Sequence, residues 1–163
     1  MPLATLKKVL AAADARQALC LGFVCQGWED SRAYVRAGEA AGAPVILSAG
    51  PGARANMPVS LWGELFRELA KSAAVPVVAH LDHGRTLEEC VSAIEAGFSS
   101  VMIDGSALAL DENIALTNAV TQAAHVRNDL FHRRVLAYHG VTQRGSRDRP
   151  RGRRRSCRRS SFE

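Results

Sequence analysis

No apolar stretch of this 163-residue chain comes near the roughly 18 residues a membrane span needs. Its opening, MPLATLKKVLAAADARQ, sets two lysines before a short apolar stretch. Asp14 interrupts that stretch, and its Leu and Ala positions suit a helix better than a signal peptide, so a cytoplasmic location is expected. Cys20, Cys25, Cys90 and Cys157 form no C-x-x-C pair, which argues against a structural zinc site built from them, and all four are expected to be buried reduced thiols in or beside apolar runs. Aromatic residues make up 6 % of the chain and are missing altogether from residues 145–160, where a binder of single-stranded nucleic acid needs stacking platforms. Lysine is absent from residues 127–163.

What is present divides sharply. Residues 1–126 carry nine Lys or Arg against thirteen Asp or Glu, whereas residues 127–163 carry twelve Arg against three acids. The basic pI of about 9.4 therefore describes a tail and not a domain. Continuous apolar runs suited to strands covered on both faces occur at residues 18–25, 44–50, 75–81 and 99–104. Helical patterns fall between them at 29–41, 60–73 and 86–96, with another at 111–126. Thr86 and Glu89 make a capping box and Gly97 a stop for the third of these. Strand starts recur about every 30 residues, the length of a β-α-β unit, which predicts a parallel sheet.

Polar residues interrupt the strands at one end only. Ser48, then His80, Asp82 and His83, and finally Asp104 all fall at carboxyl ends, where α/β barrels and open sheets place their chemistry. Side chains alternate along a regular strand, so Asp82 and His83 share a site only if they sit where the strand ends, with Gly84 turning the chain away. A plainer reading stands beside each: a hydrogen-bonded loop and helix cap for Asp82-His83, a turn for Asp104, a core position for His80. Gly50 and Gly52 suggest a phosphate loop only weakly, because their spacing fits no such motif and no helix is expected directly after them.

VPVVAHLDHG at residues 75–84, followed by CVSAIEAGFSSVMIDGSALALDENIALTNAV at 90–120, resembles the middle of the class II, metal-dependent fructose-bisphosphate and tagatose-bisphosphate aldolases. MPLATLKKVLAAA and GAPVILSAGPGA resemble the family's opening. The resemblance implies a partial (β/α)8 TIM barrel of about four β-α units over residues 1–126, while the composition of residues 127–163 leads to the expectation of a basic, disordered tail. It implies reversible cleavage of a phosphorylated ketose, with Asp82 as general base, His83 as a ligand of catalytic zinc, Asp104 at a second divalent metal and Ser48 near the substrate. Two departures stand out. The family's other two zinc histidines belong to later strands, since His125, His132 and His139 lack their glycine-rich contexts, and Phe23-Val24 stands where Phe-Asn is usual. The chain alone is thus expected to be inactive, to leave its first and fourth strands as open edges whose inward apolar residues meet water, and to associate or aggregate through those edges.

After AHVRN the family continues with a strand reading roughly Val-Thr-Val-Glu, whereas residues 131–134 are Phe-His-Arg-Arg. TTT-CAC-CGT-CGA encodes that tetrapeptide, and the same letters shifted by one nucleotide begin Phe-Thr-Val and then Glu or Asp. Residues after about 127 are therefore expected to be a frame-shifted translation, the arginines arising as CGN codons. The competing readings are a non-catalytic barrel-fragment subunit and a nucleic-acid-binding protein acting through RPRGRRRSCRRSS.

Overall fold

In a computed structural model, residues 3–131 and 136–139 are described, with side chains only up to residue 126. In chain order the elements are α1 (Leu6–Ala15), β1 (Leu21–Val24), α2 (Trp28–Ala41), β2 (Val45–Ala49), α3 (Pro51–Asn56), α4 (Val59–Ser72), β3 (Val77–Gly84), α5 (Leu87–Glu95), β4 (Ser100–Ile103), α6 (Leu110–Phe131) and β5 (Leu136–His139). The strands form one all-parallel sheet in the order β1-β2-β3-β4-β5. Consecutive parallel neighbours joined by helices are the repeat of a TIM barrel, here open on one side.

The alternation of each strand sorts its residues onto two faces. Val45, Leu47 and Ala49 of β2, Val77, Ala79 and Leu81 of β3, and Val101 and Ile103 of β4 pack into one buried cluster with α2, α4, α5 and α6. Trp62, Phe66 and Phe98 are fully buried there, with ring centroids 5.3 and 5.8 Å apart along the series. The opposite, inner face carries Ile46 and Val78, and α1 covers them by packing Val9 against both. The Ala4 N–H donates to the Val77 carbonyl at 2.8 Å, which holds the chain leading into that helix.

Several expectations need correction. The inward apolar residues of the first and fourth strands were expected to meet water: Val24 of β1 does, at 50 % exposure, whereas Met102 of β4 is buried, as are Ile46 and Val78 of the strands between. β4 was expected to be an open edge, but it pairs with β5, so among the described elements the edges belong to β1 and β5. α6 runs to Phe131 and not to 126. A helix does start directly after Gly50, because Pro51 takes the first helical position, where a missing N–H costs nothing. The capping box is half formed: Thr86 Oγ1 accepts the Glu89 N–H, while Glu89 accepts the Arg85 N–H one residue too early. Disorder was expected over residues 127–163, yet 127–131 continue α6 and 136–139 form β5, while residues 132–135 and 140–163, His132 and Cys157 among them, lie outside the described residues.

Candidate active site

β3 reaches its carboxyl end through a bulge. Leu81 pairs with Val101 and Gly84 with Ile103, so Asp82 and His83 face a single residue of β4. His83 takes φ +50°, a left-handed conformation uncommon for any residue but glycine. The bulge is what breaks strict alternation at Asp82-His83. The turning role expected of Gly84 belongs to His83; a Cβ on Gly84 would come within 2.9 Å of Cys90 Sγ and 3.0 Å of the Met102 carbonyl. Glycine is needed there for close approach.

His83 Nδ1 lies 2.8 Å from Asp104 Oδ2. Asp104 is held down to about 2 by its hydrogen bonds to Ser106 and His83, so it is an ionised acceptor at neutral pH. An ionised carboxylate only accepts, hence Nδ1 carries the proton and the lone pair of neutral His83 sits on Nε2. That nitrogen is 3.9 Å from Asp82 Oδ1. On the other side Asp82 Oδ1 is 4.0 Å from His80 Nε2. Both separations are too long for hydrogen bonds, so the Asp82 carboxylate stands between two imidazoles with its lone pairs open. Asp104 Oδ1 accepts the Ser106 N–H at 3.0 Å, which engages both of its oxygens.

Ser48, His80 and Ser100 form one row across the inner face, since they are register partners. His80 Nδ1 meets Ser100 Oγ at 2.8 Å. Burial lowers the His80 pKa, so the ring is neutral and structural, as its core reading expected. Ser48 is buried in this row, two residues before Gly50 and short of the Asp82 level. An open cleft of about 500 Å³ is lined by His83, Asp104, Ser106, Arg85, Pro51 and Leu108. The larger groove, about 740 Å³, lies between α4 and α5, and His83, Asp82 and Asp104 do not line it.

Sequence reasoning missed Arg54. It lies on α3 with its side chain 5 % exposed, and its guanidinium binds the Ala49, Asp82 and His83 carbonyls and Glu89. Arg85, the cation of the cleft, was missed too. The cysteine expectation holds for two: whereas Cys20 is only partly buried, Cys25 and Cys90 are buried and unpaired, and burial pushes their thiols up to about 11 and about 12. They are inert.

The sequence from residue 4 to residue 130 matches the family model for class-II fructose-bisphosphate aldolase. The chain belongs to that family. It is 44 % identical over 106 residues to a fructose-bisphosphate aldolase of Treponema pallidum, covering 62 % of this chain and 32 % of the relative. It is 39 % identical over 134 residues to a 6-phospho-5-dehydro-2-deoxy-D-gluconate aldolase of Bacillus licheniformis, covering 78 % and 45 %. The fold is also that of the YdjI aldolase from Escherichia coli, with TM-score 0.71 and 31 % identity over 83 % of this chain and 50 % of that one. This aldolase-family chain thus spans half or less of these relatives' lengths. Among its described residues no helix is long and apolar enough to cross a membrane.

The zinc implied by the resemblance can be tested against the donors present. His83 suits a ligand, because its second nitrogen is free and its first is held by a carboxylate, the usual arrangement of a metal-bound histidine. Among the described residues, however, no group of three His, Cys, Asp or Glu is placed to hold a metal. The residues fit one ligand of a zinc site and not the whole of it.

Proposed function

We propose that this chain carries the proton-transfer half of a class II aldolase site, acting on a phosphorylated ketose, with Asp82 as general base and His83 as one zinc ligand. The observation that carries the reading is the Asp104-held His83, its Nε2 free and 3.9 Å from an unengaged Asp82 carboxylate. Asp82 removes the proton of the fourth-carbon hydroxyl, the bond between the third and fourth carbons breaks, and the aldehyde departs with the electron pair left on the other fragment. In condensation Asp82 returns the proton. Zinc, when bound, supplies Lewis-acid stabilisation of the oxygens beside that electron pair.

Arg85 in the cleft provides a cation suited to an anionic end of the substrate. The two relatives are named for different phosphorylated substrates, so fructose, tagatose or another phosphorylated substrate is a matter for assay. Here Asp104 orients His83 and is itself held by Ser106; its second-cation role is taken from the resemblance. Ser48 takes its substrate role from the resemblance, and the same holds for a cytoplasmic location.

The test is a pair of substitutions. Asp82→Ala is expected to spare zinc binding while His83→Ala weakens it, read by calorimetric titration on the full chain; equal affinities in the two variants would remove the assigned roles.

For the chain's organisation, we propose an aldolase unit over residues 1–126 and a frame-shifted segment over 127–163. The end of the family match at residue 130 supports this. The coding DNA decides it: a shifted frame without an aldolase-like continuation after codon 127 overturns it.

A further inference from the structure

The strained bulge that carries Asp82 and His83 has to be held by something. Where β3 leaves register with β4, the Asp82 and His83 carbonyls sit at the irregular stretch of the ladder. A left-handed residue other than glycine is strained and persists only where its surroundings over-determine it. Arg54 surrounds it. One Nη donates to the Ala49 carbonyl at 2.5 Å and to the Asp82 carbonyl at 2.6 Å, and the other donates to the His83 carbonyl at 3.0 Å. Nε donates to Glu89 Oε1 at 2.7 Å, while the other oxygen of Glu89 accepts the Arg85 N–H at 2.7 Å. A single guanidinium therefore joins the carboxyl ends of β2 and β3 to the start of α5, on both sides of the bulge. Its fixed fork reaches three carbonyls and a carboxylate together, which an ammonium on a flexible stem does not reproduce.

We propose that Arg54, anchored by Glu89, is a positioning residue: it sets the left-handed turn that points His83 at Asp104 and leaves Nε2 facing Asp82. The proposal deepens the aldolase reading and rests on it for its consequence at the metal. It also accounts for α3, a six-residue helix whose buried arginine is aimed back at the strand ends.

The test uses the full chain labelled with nitrogen-15 at histidine, the His83 ring being assigned by its loss in His83→Gln. Without metal, the ring should show the pure Nδ1–H tautomer. Arg54→Lys, which keeps the charge and loses the fork, should keep its circular dichroism yet show His83 averaging between tautomers. Zinc added to the same samples should bind about tenfold more weakly than to the unaltered chain. Glu89→Ala removes the anchor at a partly exposed position and should shift the ring in the same direction by less. If Arg54→Lys fails to fold, Glu89→Ala carries the comparison. Unaltered His83 resonances in the folded variant overturn the proposal. If zinc never reaches His83 in the unaltered chain, the aldolase reading fails, while the metal-free tautomer still decides the role of Arg54.

Discussion

The two faces of the sheet are built on different rules. Outward, β2, β3 and β4 offer only Val, Leu, Ile and Ala to the helices. Inward, β2 and β3 carry Ile46 and Val78 before Ser48 and His80, β4 carries Ser100 before Met102, and Asp82 and Asp104 follow at the carboxyl ends. The outer face needs nothing beyond its own helices to be covered. Inside, α1 covers Ile46 and Val78, the Ser48 and Ser100 side chains above them are buried, and only beyond that row are the Asp82, His83 and Asp104 side chains partly exposed. The fold's stability and its chemistry are therefore separable, and an open barrel can keep the first while lacking most of the second.

The largest expected effect breaks the chemical side. A chain with one suitable zinc ligand among its described residues should cleave fructose 1,6-bisphosphate at less than about a thousandth of a full enzyme's rate, since each lost ligand or phosphate grip removes several kcal/mol of transition-state stabilisation. A coupled assay with added zinc checks it; ordinary turnover would mean the site is complete. On the outer face, Phe66→Ala should cost about 3–5 kcal/mol, because the ring is fully buried between Trp62 and Phe98. Chemical denaturation measures that loss.

Sequence pattern reads one of these faces better than the other. The four runs and the helices between them were legible because the outer face is continuous apolar surface with helix stops such as Gly97, and such signals are local. Ser48, His80, Asp82, His83 and Asp104 were legible as strand-end residues for the same reason. The bulge was not. It depends on Arg54, nearly thirty residues upstream, and on a positive φ at a histidine, which no spacing announces. α3 was hidden because Pro51 and Gly52 read as loop. α1 was recognised as a helix, but not as the cover of Ile46 and Val78, since that contact joins elements far apart in the chain.

A smaller effect separates the faces by pH. Burial holds the His80 imidazole below its ordinary value, with repulsion from His83 adding to the shift and attraction to Asp82 opposing it. Below about pH 6.5 the unfolded histidine binds a proton that the folded one resists. Stability is thus full above that value and declines as the pH falls through it towards the folded pKa. Melting temperature followed from about pH 7 to 5 should fall, and His80→Gln should flatten the decline. An unchanged slope would mean that His80 is not the group responsible.

The smallest effect on stability, and the sharpest on association, lies at the β1 edge. Leu19 is 90 % exposed, Leu21 58 % and Val24 50 %, in contrast to β2, whose five residues are all buried. An exposed apolar edge strand offers unpaired N–H and C=O groups to another chain, and lysine at such an edge opposes pairing by placing a charge where a second strand would have to bury it. The Leu21 side chain already faces water, so Leu21→Lys should change unfolding free energy by no more than about 0.5 kcal/mol. Size-exclusion chromatography should find the unaltered chain associated and the Leu21→Lys chain shifted towards monomer, because the substitution places a charge on the edge strand at a side chain that is already largely exposed. Equal elution of the two would place association elsewhere, and a monodisperse monomer for the unaltered chain would show that its outer face and α1 suffice without a partner.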